Sequence, residues 1–274
     1  MKELKDCFGL SKQEIVSVIG SGGKSSLIAY LANSYSHEKV LISTTTKVLM
    51  AREDECDELW LDPVCWEREI MSGIVIAGDK IIQDGILKLQ MPKDSKFVKI
   101  FNQFDKVFLE SDGSRGLPLK GWMEYEPVIL PETSMTIGIV PITAIGKPVT
   151  KEFIHRLPLW LELIEGNVEK DIGFDRERDR GKCTSIDKEK DRNKGEKRGK
   201  TIILEKDLAK TIANEKGLWS KAKGKRVLLI NQVEDKEQLE SAKRIVELLP
   251  DDCKKSLNRI IVGSVMKEVG EVIH

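Results

Sequence analysis

The stretch Ile15-Val16-Ser17-Val18-Ile19-Gly20-Ser21-Gly22-Gly23-Lys24-Ser25-Ser26 constrains the fold more than any other. An apolar run of strand length stops at a glycine-dense turn, and Lys24-Ser25-Ser26 opens a segment, Leu27 to Tyr35, with the character of a helix. Glycines let backbone N–H groups converge on one anion without Cβ obstruction, and a helix start adds its positive dipole end. Lys24 can then reach terminal phosphates, and the Ser25 hydroxyl can sit on a cation. The pattern is the short G-x-x-G-K-S, because Val18 stands where the longer form would carry its first glycine. Gly20, Ser21, Gly22, Gly23, Lys24, Ser25 and Ser26 therefore predict a nucleoside triphosphate site, for ATP or GTP with Mg²⁺. A glycine-rich β–α turn without a ligand is the competing reading.

Two further strand ends carry chemistry. Lys39-Val40-Leu41-Ile42-Ser43 is a compact apolar run that delivers Thr44-Thr45-Thr46-Lys47. In an open parallel sheet, ligands bind at the carboxyl ends of strands. Thr45, Thr46 and Lys47 are thus candidates for second-substrate or phosphate contacts, although a β-rich Thr run continuing the strand reads equally simply. Lys106-Val107-Phe108-Leu109 runs into Glu110-Ser111-Asp112-Gly113-Ser114-Arg115-Gly116. Glu110 and Asp112 share a side if the strand continues; either can hold Mg²⁺ with Ser25, Asp112 being the first candidate, and the other is free to handle a proton, which makes Lys24, Glu110, Asp112 and Arg115 the expected catalytic set. Arg115 is a candidate for developing phosphate charge or an anionic second substrate. Acidic residues here are also ordinary turn formers, and Asp-Gly is a common turn pair.

Together Gly20 to Ser25, Thr44 to Lys47, the string from Glu110 through Arg115 to Leu117-Pro118-Leu119-Lys120, and Glu126-Pro127-Val128-Ile129 resemble the YqeC family. The likeness continues through Ile145-Gly146-Lys147-Pro148 to His155-Arg156 and weakly near Val227 to Asn231. Gly121-Trp122 departs from the small residue and proline of the pattern, and a charged insertion follows Gly166. Members are described as accessory proteins for selenium-dependent molybdenum hydroxylases. The resemblance implies such a hydroxylase, or its cofactor-maturation machinery, as partner.

Pro118 to Pro127 reads as a charged loop, with Lys120 and Glu126 as further second-substrate candidates. Asn231-Gln232-Val233-Glu234 ends the apolar run from Arg226 and lies where guanine-reading proteins carry Asn-Lys-x-Asp. Asn231 and Glu234 are accordingly candidates for base contacts, and a ligand-free strand-end turn is the alternative. His155 reads as a structural histidine more readily than as a site residue.

The fold expected is one three-layer α/β/α domain over residues 1–274, like the phosphate-loop NTPases, with a mostly parallel doubly wound sheet. Ile74 to Ala77, Ile81-Ile82 and Ile86 to Leu89, with Gly78-Asp79 and Asp84-Gly85 as turns, predict a small antiparallel β-hairpin excursion, Pro63 to Met71 a helix, Pro92 to Asp105 an amphipathic helix, and Thr150 to Ile164 a helix broken at Pro158. Asn167 to Lys200 is so rich in mixed charge, and so poor in apolar side chains, that a disordered insertion is expected. Lys+Arg and Asp+Glu both number 45, which gives no field for nucleic acid or an anionic membrane. Five scattered cysteines without a C-x-x-C pair, and no apolar segment of signal or membrane-spanning length, predict a cytoplasmic protein with no membrane partner.

Overall fold

The computed structural model describes residues 1–50, 55–165 and 201–274. In chain order its elements are β1 (Lys2–Glu3), α1 (Leu4–Phe8), β2 (Glu14–Gly20), α2 (Lys24–Ser34), β3 (Lys39–Thr44), β4 (Lys47–Leu49), β5 (Glu58–Trp60), β6 (Gly73–Ala77), β7 (Asp79–Gln83), β8 (Ile86–Gln90) and α3 (Lys96–Lys99). There follow β9 (Lys106–Glu110), β10 (Leu119–Lys120), β11 (Met135–Pro141), β12 (Ile154–His155), α4 (Leu157–Glu165), α5 (Glu205–Ala213), β13 (Lys225–Asn231), α6 (Lys236–Leu248), α7 (Asp251–Ser256), β14 (Arg259–Ser264) and β15 (Val269–Val272).

The central sheet has ten strands in the order β1-β15-β14-β13-β11-β2-β9-β3-β6-β5. From β14 to β5 every neighbouring pair is parallel, and only β15 is reversed, pairing antiparallel with β14 on one side and with the edge strand β1 on the other. Parallel strands need both faces covered, and the period of two along each strand supplies two apolar faces. Val16, Val18, Val227 and Leu229 pack with α1 and α2. Ile19, Leu228 and Ile230 pack with α4, α5 and α6 on the other face. The architecture is mixed α/β, a large mostly parallel sheet between helical layers.

The connection from β2 through α2 to β3 passes over β9, which therefore lies between them. This interleaving brings the ends of β2, β3 and β9 side by side, with Val18 and Thr44 in register with Glu110. The chain order thus converts three distant segments into one edge.

Several local expectations are corrected. Gly73–Ala77 is a parallel strand of the central sheet rather than half of a hairpin; the hairpin is β7–β8, to which β4 adds a third strand. The fully buried run Gly-Ile-Val-Ile-Ala carries no polar alternation, as an interior parallel strand should. Pro63–Glu67 forms only a 3₁₀ turn capped by Asp62, and Pro92 to Asp105 only the short α3 followed by a 3₁₀ turn at Ile100–Gln103. Their aromatics nevertheless go to the core. Trp66 meets Phe97, Phe97 meets Phe101 and Trp60 meets Phe104 in edge-on pairs, each worth about 1 kcal/mol beyond area burial. From Thr150 onward the helix begins only at Leu157, because Ile154–His155 pairs in parallel with Leu119–Lys120; Pro158 then falls in the first turn of α4, where a missing N–H costs nothing. The expected insertion at 167–200 lies outside the described residues. Among the described residues no helix is long and apolar enough to cross a membrane.

Candidate functional site

Gly20 ends β2, and its amide donates to both Asp112 carboxylate oxygens at 3.1 and 3.0 Å. The chain then turns through left-handed backbone: Gly20 has φ 96° and Gly23 φ 123°. A Cβ on Gly20 would lie 2.2 Å from the Ile139 carbonyl oxygen, and one on Gly23 would lie 2.5 Å from Asn231 Nδ2. Both positions require glycine. Gly23 is the N-cap of α2 and carries no side chain to cap it, so no side chain takes the first-turn N–H donors. The result is an uncapped helix start behind a glycine loop, an arrangement suited to an anion.

The loop is braced from its flanks. Ser21 N–H reaches the Ile139 carbonyl, and its hydroxyl donates to the Pro118 carbonyl at 2.8 Å. Asn231, at the end of β13, donates to the Gly22 carbonyl at 2.9 Å while its Oδ1 accepts Val265 N–H at 3.0 Å. Both ends of that amide serve the backbone. Gln232 also reaches Gly22, and Glu234 accepts from Ser264.

Ser25 donates to Glu110 Oε2 at 2.7 Å, so the first turn of α2 and the end of β9 meet through a hydroxyl and a carboxylate. Glu110 retains 14% side-chain exposure. Thr44 Oγ1 and Thr45 N–H both donate to the Glu110 backbone carbonyl, which fixes the end of β3 beside it. Thr45 Oγ1 donates to the Val128 carbonyl, Thr46 packs its hydroxyl against Thr44, and Lys47 is exposed. Ser26 is exposed beside Ser25.

Lys24 is folded back. Its amine donates to the Gly20 carbonyl at 2.8 Å and stands 3.6 Å from Glu110 and 3.4 Å from Asp112, at 4% side-chain exposure. Asp112 has no exposure at all. Besides Gly20 it accepts from Trp122 Nε1 at 2.9 Å and from Lys120 Nζ at 3.1 Å. Burial alone would push its pKa up, but Lys24, Lys120, the Gly20 amide and the Trp122 N–H together hold it below the ordinary value. Lys120 is equally buried and also donates to the Gly113 carbonyl and to Glu126. Arg156 closes the chain with two bonds to Glu126. Glu126 is likewise held low: burial opposes ionisation, and Arg156 and Lys120 outweigh it.

The structure thus brings Lys24, Ser25, Glu110, Asp112, Lys120 and Glu126 into one cluster, with Lys120 and Glu126 spent on internal pairs. Asn231 touches the loop, while Glu234 lies farther out beside Ser264. Trp122 and Arg156 were not legible as site residues. A tryptophan whose N–H must find an acceptor was the only local signal for the first, and none pointed to the second, which is 30 positions from Glu126.

His155, paired in register with Lys120, is 9% exposed. Burial first, then the Arg156, Arg115 and Lys120 charges, lower its pKa to about 4, against a small opposing effect of Glu126. An unfolded histidine binds its proton near 6.5. Between these values the unfolded chain holds more protons, so stability is full above about 6.5 and falls as pH drops toward 4, by about 3 kcal/mol. Urea midpoints at pH 7.5 and 5 should therefore separate more in the parent than in His155→Gln. Equal separations would show that His155 is not held neutral.

Among the described residues no group of three or more His, Cys, Asp and Glu forms a metal cage. One carboxylate beside one hydroxyl is instead the kind of hard-oxygen set that holds Mg²⁺ together with phosphate oxygens.

The family described as YqeC protein matches residues 16–158, which include the glycine loop, Glu110, Asp112 and most of the buried ion network. The chain is 30% identical over 146 residues to an uncharacterized protein YqeC of Escherichia coli (strain K12). That match covers 52% of this chain and 57% of the relative, so little more than half of the relative's length is spanned. No solved structure matches the chain. With more than half of its residues matched, and with the motifs of the match gathered at one sheet edge, the chain belongs to the YqeC family.

Proposed function

We propose that this protein binds a nucleoside triphosphate with Mg²⁺ at the edge formed by β2, β3 and β9, in a phosphate-loop NTPase-like fold, and hydrolyses or transfers the terminal phosphoryl group. The observation that carries this reading is the Ser25–Glu110 hydrogen bond at 2.7 Å beside an uncapped helix start. Mg²⁺ would supply charge neutralisation at the β- and γ-phosphates. Ser25 and Glu110 are the residues that would hold it. Asp112 is the weaker candidate, because its acceptors are already taken by Gly20, Trp122 and Lys120. Its role in this reading is to anchor the loop through the Gly20 amide.

Lys24 would exchange its contact with the Gly20 carbonyl for phosphate oxygens. Thr46, just after β3, and Lys47, which opens β4, would serve the γ-phosphate side. The double use of Asn231 by Gly22 and Val265 leaves base contact to other groups. ATP and GTP are both admitted. A role in maturation of a selenium-dependent molybdenum hydroxylase is proposed on the family resemblance alone.

Replacing Lys24 with Ala removes a charge-assisted phosphate contact worth roughly 1.5–3 kcal/mol, or roughly 10- to 150-fold in affinity. Calorimetry with ATP and GTP should show that loss. Unchanged affinity in a folded Lys24→Ala protein would remove the phosphate-loop assignment.

A further inference from the structure

The ion network beside the loop is not balanced. Lys24, Lys120, Arg156 and Arg115 stand on one side, and Glu110, Asp112 and Glu126 on the other. The first three cations are paired with these carboxylates, whereas Arg115 has no hydrogen bond or ion pair among the described residues. It is exposed and sits at φ 53°, a left-handed conformation, in the turn closed by Leu117 N–H on the Ser114 carbonyl. Left-handed backbone favours glycine or asparagine, and arginine gains nothing from it locally.

His155 is the second unused group. It is nine-tenths buried, yet neither imidazole nitrogen has a hydrogen-bond partner among the described residues, and neither is among the sealed, unsatisfied buried atoms. A buried polar group is normally satisfied; here the imidazole nitrogens are unpartnered among the described residues without being sealed, and Arg156, Arg115 and Lys120 are the cations near enough to act on the ring. The ring lies one residue before Arg156 and opposite Lys120. Lys120 in turn clamps the Gly113 carbonyl, which holds the loop carrying Arg115 against this corner. A Cβ on Gly113 or Gly116 would meet nothing within 4 Å, so the loop opens onto free space rather than onto packed protein.

We infer that Arg115 and His155 form a subsite for an oxyanion, carboxylate or phosphate, borne by the second substrate of the phosphate-loop site. A free guanidinium offers a planar fork of donors to such a group, and a neutral imidazole adds one N–H. Lys120 and Glu126 do not reach this ligand; they hold the loop that presents Arg115. The assignment to a second substrate rests on the nucleotide reading, whereas the subsite itself does not.

Arg115→Gly tests it, since glycine suits φ 53° and cannot unfold the turn. Its melting temperature should equal or slightly exceed the parent's. The chain has three histidines, so the His155 ring can be followed by NMR through a pH titration. In the full chain without nucleotide, inorganic phosphate in one arm and malonate in another should raise the His155 pKa by about one pH unit, as a nearby anion does. A response to phosphate alone, or to malonate alone, identifies the source of the oxyanion. In Arg115→Gly the His155 pKa should start higher, because one neighbouring cation is gone, and neither anion should move it. Lys24→Ala should keep the response, which separates this subsite from phosphate bound on the glycine loop. No response in the parent, or the same response in Arg115→Gly, overturns the subsite. Absence of ATP and GTP binding in a parent that still shows the His155 response would instead count against the nucleotide reading.

Discussion

Asp112→Asn is expected to lose about 3–5 kcal/mol of stability, the usual effect of removing one partner from a buried ion pair. Asp112 has 0% exposure and stands between two ammonium groups, Lys120 at 3.1 Å and Lys24 at 3.4 Å. Its oxygens also take the Gly20 amide and the Trp122 N–H. An amide keeps one acceptor and turns the other into a donor among donors, while Lys24 and Lys120 each lose one of two counter-charges at a fully buried position. The change reaches the glycine loop directly, because Gly20 loses half of its anchor. For a chain of this size the melting temperature should drop by roughly 10 °C, and triphosphate affinity should fall with it. Lys120→Met in the same chain should recover part of the loss, since Lys24 with Glu110 and Arg156 with Glu126 then remain as balanced pairs. Urea denaturation of the single and double variants measures both terms. A midpoint unchanged in Asp112→Asn would mean that this carboxylate does not hold the loop.

Glu110→Gln should behave in the opposite way. Glu110 keeps partial exposure; its carboxylate takes one hydrogen bond, from Ser25, and lies 3.6 Å from the Lys24 amine, which keeps Asp112 at 3.4 Å, so stability should move by only about 1 kcal/mol. The glutamine is close in size, and its carbonyl can still accept the Ser25 hydroxyl. The lost element is negative charge beside that hydroxyl, where a hard cation needs an anionic oxygen. The Mg²⁺ concentration needed for half-maximal turnover, or for half-maximal triphosphate binding, should rise by about 10- to 100-fold. Binding of triphosphate without Mg²⁺ should hold or improve, because repulsion between carboxylate and phosphate is gone. If Glu110→Gln is unchanged in its Mg²⁺ requirement while Asp112→Asn loses it without unfolding, the two carboxylates have the reverse roles.

The contrast between these residues marks how far the chain could be read unaided. Strands β2, β3, β9 and β13 and helix α2 were legible, because each is an apolar run or a helix start bounded by a local signal. The meeting of their ends at one edge followed from parallel topology. Glu110 and Asp112 could not be told apart, since two positions on one strand end look alike until their neighbours are known. Trp122, Lys120 and Gly20 decide the matter, and they come from three different segments. Arg156 reaches Glu126 across 30 positions, which no spacing rule detects. The same limit applies to Gly73–Ala77, whose sequence neighbour suggests a hairpin partner but which pairs with β3 and β5. Likewise Phe97, Ile100, Phe101 and Phe104 have helical spacing, yet that apolar face packs from two short turns. Helical spacing there signals burial of the aromatics but not the length of the element that buries them.

The most direct measurement is calorimetric titration of ATP and of GTP into the full chain, in Mg²⁺ and again in EDTA. At least one triphosphate should bind with a stoichiometry near one, Mg²⁺ should strengthen the binding, and Lys24→Ala should weaken it by roughly 10- to 150-fold. Binding of neither nucleotide to a folded chain, with or without Mg²⁺, would contradict the nucleotide reading and leave the loop between β2 and α2 as a structural turn.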